Sequence, residues 1–133
     1  MHSEDVRVDT DARLVTDVTR EAERFVQRGG DGLLNVFVPH ATAGVALMET
    51  GSGSEADLED AMQRLLPRDD RYTHRHGSRG HGADHLLPVF VSPSLTIPVR
   101  DGRLQLGTWQ HVVLVDSNSD NTGRTLRLSF IEG

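Results

Sequence analysis

The second half of the chain is a series of short apolar runs rich in Val, Leu and Ile, at Leu86–Val91, Leu95–Val99, Leu104–Val115 and Arg124–Ile131. Turn sequences divide them: Asp101-Gly102 lies between two of the runs, and Ser117–Gly123 (SNSDNTG) precedes the last. An Asp-Gly pair favours the left-handed backbone of a tight hairpin, and strands joined by turns this short pair antiparallel. A chain that ends in this way is committed to an antiparallel sheet.

Ahead of that meander the pattern gives strand, helix, strands, helix. Val6 and Val8 alternate with polar residues, as in an edge strand before a turn at Asp9–Asp11. Thr16 is placed to cap a helix in which Val18, Ala22, Phe25 and Val26 share one face, ending near Gly29-Gly30. Leu33–Val38 and Val45–Met48 have the pattern of buried strands. Ser54 followed by Asp57 opens a second helix that carries Leu58, Ala61, Met62, Leu65 and Leu66 at helical spacing. Pro67 blocks its continuation. Residues 68–84, rich in Arg, Asp, His and Gly, lack an apolar period and are expected to form a long loop. The order predicts an α+β fold, an antiparallel β-sandwich with two helices. No repeat, linker or low-complexity block interrupts it, so residues 1–133 are expected to form a single domain.

Composition narrows the chemistry. With no Cys, a disulfide framework, a thiolate metal site and a cysteine nucleophile are all excluded. The 14 basic residues are all Arg, so no lysine Schiff base can form. A net charge of −6 argues against non-specific nucleic-acid binding, which draws on many cationic contacts to phosphate. No apolar run is long enough to span a bilayer, so no membrane partner is expected. The opening MHSEDVRVDT is polar and acidic rather than signal-like, which makes the cytoplasm the expected location.

The chain has 7 His, and His74, His76, His81 and His85 form an H-x-H-x4-H-x3-H cluster. Imidazole is a common ligand of zinc and related divalent metals, and three such ligands with an open position make a catalytic site. His40, at a strand end before Ala41-Thr42-Ala43-Gly44, is placed to converge on the cluster. Glu49, where a second strand is expected to return to the same end, is a candidate ligand or general base. His76 and His81, set among Gly and Arg, fit a solvated loop better than a ligand role, and His2 and His111 are set aside as well. Arg100, Arg103, Arg124 and Arg127 are candidate phosphate contacts, although surface charge is the plainer reading. Trp109, in Gly107-Thr108-Trp109-Gln110, is expected in the core or at a subunit interface.

Taken in order, His40-Ala-Thr-Ala, Met48-Glu49, Asp57-Leu58, Asp70, Tyr72-Thr-His74, Asp84-His85-Leu86, Ser94-Leu-Thr-Ile-Pro98, Gly102-Arg103-Leu and Gly107-Thr-Trp-Gln110 resemble the YjbQ-like family. The resemblance runs from about residue 12 to the C-terminus. It implies a homotrimer of α+β subunits with a site at a subunit boundary that contains His40, His74 and His85, with Glu49 nearby. The chain departs from the family pattern at Met48, Leu87 and Ser92, and in the placing of Arg124 and Arg127.

The activity that the resemblance implies is that of a secondary thiamine-phosphate synthase, which joins a pyrimidine diphosphate to a thiazole phosphate and releases pyrophosphate. The expected assignment is a divalent metal, zinc before magnesium or manganese, on His40, His74 and His85. Glu49 and His40 would be catalytic, and Arg103 and Arg124 would bind the phosphorylated small-molecule substrate. The alternatives are a metal-dependent hydrolase, a trimeric metal- or phosphate-binding protein without turnover, and an assembly module whose His are incidental.

Overall fold

The layering of the fold follows from one strand, β7 (His111–Asp116). Val112, Val113, Leu114 and Val115 are all 0% exposed. Successive strand side chains point to opposite faces, so a strand that is apolar at every position must be covered on both sides. Val112 and Leu114 enter the main core with Leu34, Val36, Ile97, Leu126 and Leu128. Val113 and Val115 point the other way, onto Leu66, Ala83 and Leu87.

The computed structural model describes residues 1–133. β1 (His2–Asp9), β8 (Gly123–Glu132), β3 (Gly32–Phe37), β5 (Ser94–Arg100) and β6 (Arg103–Leu104) form one sheet in that order. β2 (Val15–Asp17), β7 and β4 (Ala43–Met48) form the second. Every pairing is antiparallel. The main core lies between the sheets, and α1 (Thr19–Val26) contributes Ala22 and Val26 to it. α2 (Ser54–Leu65) and α3 (His81–Phe90) cover the outer face of the smaller sheet. The fold is therefore α+β with an antiparallel sandwich, as expected, but it has three helices rather than two. No helix is long and apolar enough to cross a membrane.

The third helix takes over the run expected as strand Leu86–Val91. A short apolar run with Val and Phe has no periodicity that separates strand from helix. Its burial does separate them: His81, Ala83, Asp84 and Leu87 are buried, while Val89 and Phe90 are exposed. The expected strand Leu104–Val115 is also broken. Gln110 folds back so that its Oε1 accepts the Gly107 N–H at 2.8 Å, and Trp109 at the tip of this turn is 71% exposed. Thr16 belongs to β2, and the carboxylate that accepts the Thr19 N–H is Asp17, at 2.9 Å. At α2, Glu55 reaches back to the Gly51 N–H, at 3.0 Å, in place of a Ser54 cap. The two turns stand as expected. In the hairpin, Asp101 and Gly102 both have positive φ, 50° and 72°.

The end of α3 is fastened to the sandwich through the backbone. The Val45 N–H donates to the Ser92 carbonyl and the Val38 N–H to the Pro93 carbonyl, both at 2.8 Å. This approach requires Gly44, because the Val91 carbonyl occupies the space a Cβ would take. Gly44→Ala is expected to destabilise the protein by about 1–3 kcal/mol, the usual range for overpacking. Urea unfolding monitored by circular dichroism measures this, and an unchanged midpoint would contradict the packing described.

Candidate metal centre

Pro67 stops α2, and the chain returns to the sheet through residues 66–80 before α3 begins. The Tyr72 hydroxyl donates to the Pro67 carbonyl at 2.6 Å, which folds the loop back on the helix end. Gly82 lets the loop lie against α3, since a Cβ there would sit 2.5 Å from Cβ of Tyr72. His74 and His76 are thereby carried to the first turns of α3. His81 and His85, four residues apart, share a face of that helix.

The four imidazoles pack together. Ring centroids are 3.9 Å apart for His74 and His76, 4.0 Å for His74 and His85, and 4.8 Å for His81 and His85. One nitrogen from each of His74, His76 and His85 lies within 4.8 Å of the others. Zinc–imidazole bonds of about 2.0–2.1 Å put tetrahedral ligands about 3.4 Å apart, so modest side-chain rotation closes this set on an ion. Nδ1 of His74 is buried without a hydrogen-bond partner, a costly arrangement that a metal bond would relieve. His74 and His85 titrate below the ordinary His value, first through burial and then through neighbouring imidazoles. Both are thus held in the neutral form that binds metals. The residues fit a divalent ion.

The structure does not bring His40 into this group. Its Nε2 accepts the Thr125 N–H at 3.0 Å, so the neutral ring carries its proton on Nδ1. Burial lowers the basicity of His40, followed by the Arg124 guanidinium, while Asp116 acts in the opposite sense. Glu49 is exposed and does not share an end with His40. A single strand, β4, runs between them, and its six residues span roughly 17 Å. Arg124 is 3% exposed; Asp116 accepts from its Nε and Nη2 and the Thr42 hydroxyl from its Nη2, which leaves Nη1 without a partner. Arg103 lines a surface groove with Arg20, Arg24 and Asp101 that includes none of the clustered His.

His40 and the cluster nevertheless occupy one end of the smaller sheet, joined by the turn after β7. Ser117 Oγ donates to Asp84 at 2.6 Å, and Asp120 accepts the Ser78 N–H at 3.0 Å. On the other side Asn118 donates to Thr42 at 3.4 Å, two residues from His40. His76 and His81, expected in a solvated loop, are instead packed into the cluster. The available signal was the spacing of His81 and His85, which places both on one face only if α3 starts at His81.

The UPF0047 protein YjbQ-like family model matches residues 4–133. UPF0047 protein Rv2556c of Mycobacterium tuberculosis is 60% identical over 133 residues, covering 100% of both chains. Among solved structures, the hypothetical protein APE1520 of Aeropyrum pernix superposes with a TM-score of 0.90 at 31% identity, again covering 100% of both chains. A YbjQ-like protein of unknown function from Sulfolobus solfataricus has the same fold, with a TM-score of 0.90 at 24% identity over 99% of this chain and 97% of its own.

Two outcomes follow from this geometry. Replacing Arg124 with Ala leaves Asp116 as an uncompensated buried charge and is expected to cost about 3–5 kcal/mol, measured by urea denaturation. For pH, His40, His74 and His85 all bind a proton less readily when folded than at the ordinary value of 6.5. The unfolded chain then holds more protons, so stability is full above about pH 6.5 and is lost as the pH falls below it. Metal-free protein should therefore unfold at lower urea at about pH 5.5 than at about pH 7.5, and His85→Ala should flatten the difference.

Proposed function

The chain belongs to the YjbQ-like UPF0047 family, and from that premise we propose that it is a metal-dependent enzyme acting on a phosphorylated small molecule. The divalent ion is held by His74, His76 and His85. The observation that carries this reading is the convergence of those three imidazoles beside a buried, unpartnered Nδ1. An all-imidazole set without carboxylates suits zinc better than magnesium or manganese. The reaction is of the secondary thiamine-phosphate synthase type: a pyrimidine diphosphate joins a thiazole phosphate and pyrophosphate leaves.

When bound, the ion supplies electrostatic stabilisation of the departing pyrophosphate. The three neutral imidazoles cancel none of its charge. Arg75 and Arg79 line the surface beside His74 and His81, where they can attract phosphate oxygens. His40 presents Nδ1–H as a donor at the same end of the sheet, and its depressed basicity keeps it neutral near pH 7. The assembly that goes with this reading is a homotrimer in the cytoplasm with sites at subunit boundaries. Val89 at 74% exposure, Phe90 at 57% and Trp109 at 71% are large apolar groups such a boundary would cover.

Elemental analysis of untagged protein tests the reading, with wild type compared against His85→Ala and His40→Ala. About one metal per chain is expected in wild type, abolished by His85→Ala and retained by His40→Ala. Loss in both variants would instead put the His40 of a neighbouring copy on the metal. Metal-free wild type that takes up no added zinc would overturn the assignment.

A further inference from the structure

His81 occupies a different electrostatic setting from the other clustered His. It is 8% exposed, and its Nδ1 lies 3.0 Å from Oδ2 of Asp84, a carboxylate that is itself 0% exposed. Asp84 is ion-paired with Arg68 through Oδ1, and Ser117 Oγ donates to the same oxygen at 2.6 Å. A carboxylate only accepts, so its contact with His81 fixes the proton of that ring on Nδ1. Nε2 of His81 then carries a lone pair, and it faces Nε2 of His85 at 3.1 Å. Two ring nitrogens face to face at that separation need a proton or a cation between them. The distance is close to the roughly 3.4 Å that separates two imidazole ligands of one tetrahedral ion. A carboxylate that binds the far nitrogen of an imidazole and sets its tautomer is the usual support of a metal-ligating His.

Resting on the metal reading above, we infer that His81 is a fourth ligand of the same ion and that Asp84, clamped by Arg68 and Ser117, is its positioning residue. The complete set is then four neutral imidazoles from one subunit. These four residues would hold a dication without cancelling its charge, and that charge would attract anionic oxygens. With His81 as a fourth ligand the ion would offer a phosphate oxygen only a fifth position, in place of the open fourth position of a three-His site.

Cobalt(II) titration of metal-free protein, followed by visible absorption, tests this with wild type, His81→Ala, His81→Gln and Asp84→Asn. Wild type is expected to bind one equivalent. Both His81 variants should bind at least tenfold more weakly with an altered visible spectrum, and Asp84→Asn should weaken binding by roughly 10–100-fold. Thermal melts of the metal-free forms identify any variant that fails to fold. If Asp84→Asn does, because Arg68 has lost its buried partner, the two His81 variants decide the matter. Wild-type affinity and spectrum in folded His81→Ala and His81→Gln would overturn the fourth ligand and leave the three-His reading intact. A wild type that binds no cobalt would overturn both.

Discussion

The pair formed by Asp116 and Arg124 is the joint on which the site end of the molecule is built. Asp116 closes β7 in the smaller sheet, and Arg124 opens β8 in the larger. Their contact therefore spans the sandwich at its edge. Arg124 also reaches Thr42, in the turn that carries His40, and the Asp116 carboxylate accepts the Asn118 N–H at 2.9 Å to start the Ser117–Gly123 turn. A buried ion pair is a poor source of net stability, because the desolvation of two charges offsets most of their attraction. Here it sets geometry: two sheets, one turn and one His are referred to the same pair of side chains.

The candidate metal centre stands one layer out from that joint. None of its imidazoles belongs to the main core, and they come from a loop and a helix held over the smaller sheet. Their positions depend on a few local contacts, namely Tyr72 on Pro67, the bare face of Gly82, and Asp84 held by Arg68 and Ser117. The sandwich supplies a rigid floor, and the ligands are adjusted on top of it. Catalytic groups carried on loops above a fixed scaffold follow the same division of labour.

The sandwich was legible in the sequence because its information is local. Alternating Val and Leu and the Asp101-Gly102 pair dictate strand and hairpin without reference to distant residues. The third helix was not legible, because its buried face includes His81 and Asp84. Such residues are buried only when partners such as Arg68 and Ser117 arrive from elsewhere in the chain. The same dependence hid the role of Arg124, which looks like any surface Arg until Asp116 is placed against it. His74 and His85 were evident from their number and spacing. Admitting His81 required the helical register, whereas the separation of Glu49 from His40 was already implicit in the single strand expected at Val45–Met48 between them.

β7 separates two apolar clusters that share no side chain: Val112 and Leu114 serve one, Val113 and Val115 the other. Lifting the helical layer from the sheet would expose only the second of these clusters and leave the first packed. Packing of this kind predicts two cooperative units with different opening free energies. Backbone amides of α2 and α3 should exchange with solvent well before those of β3 and β8. An ion bound by His74, His76, His81 and His85, all of which lie in the layer that opens first, would slow exchange there and leave the slowest amides of the sandwich unchanged.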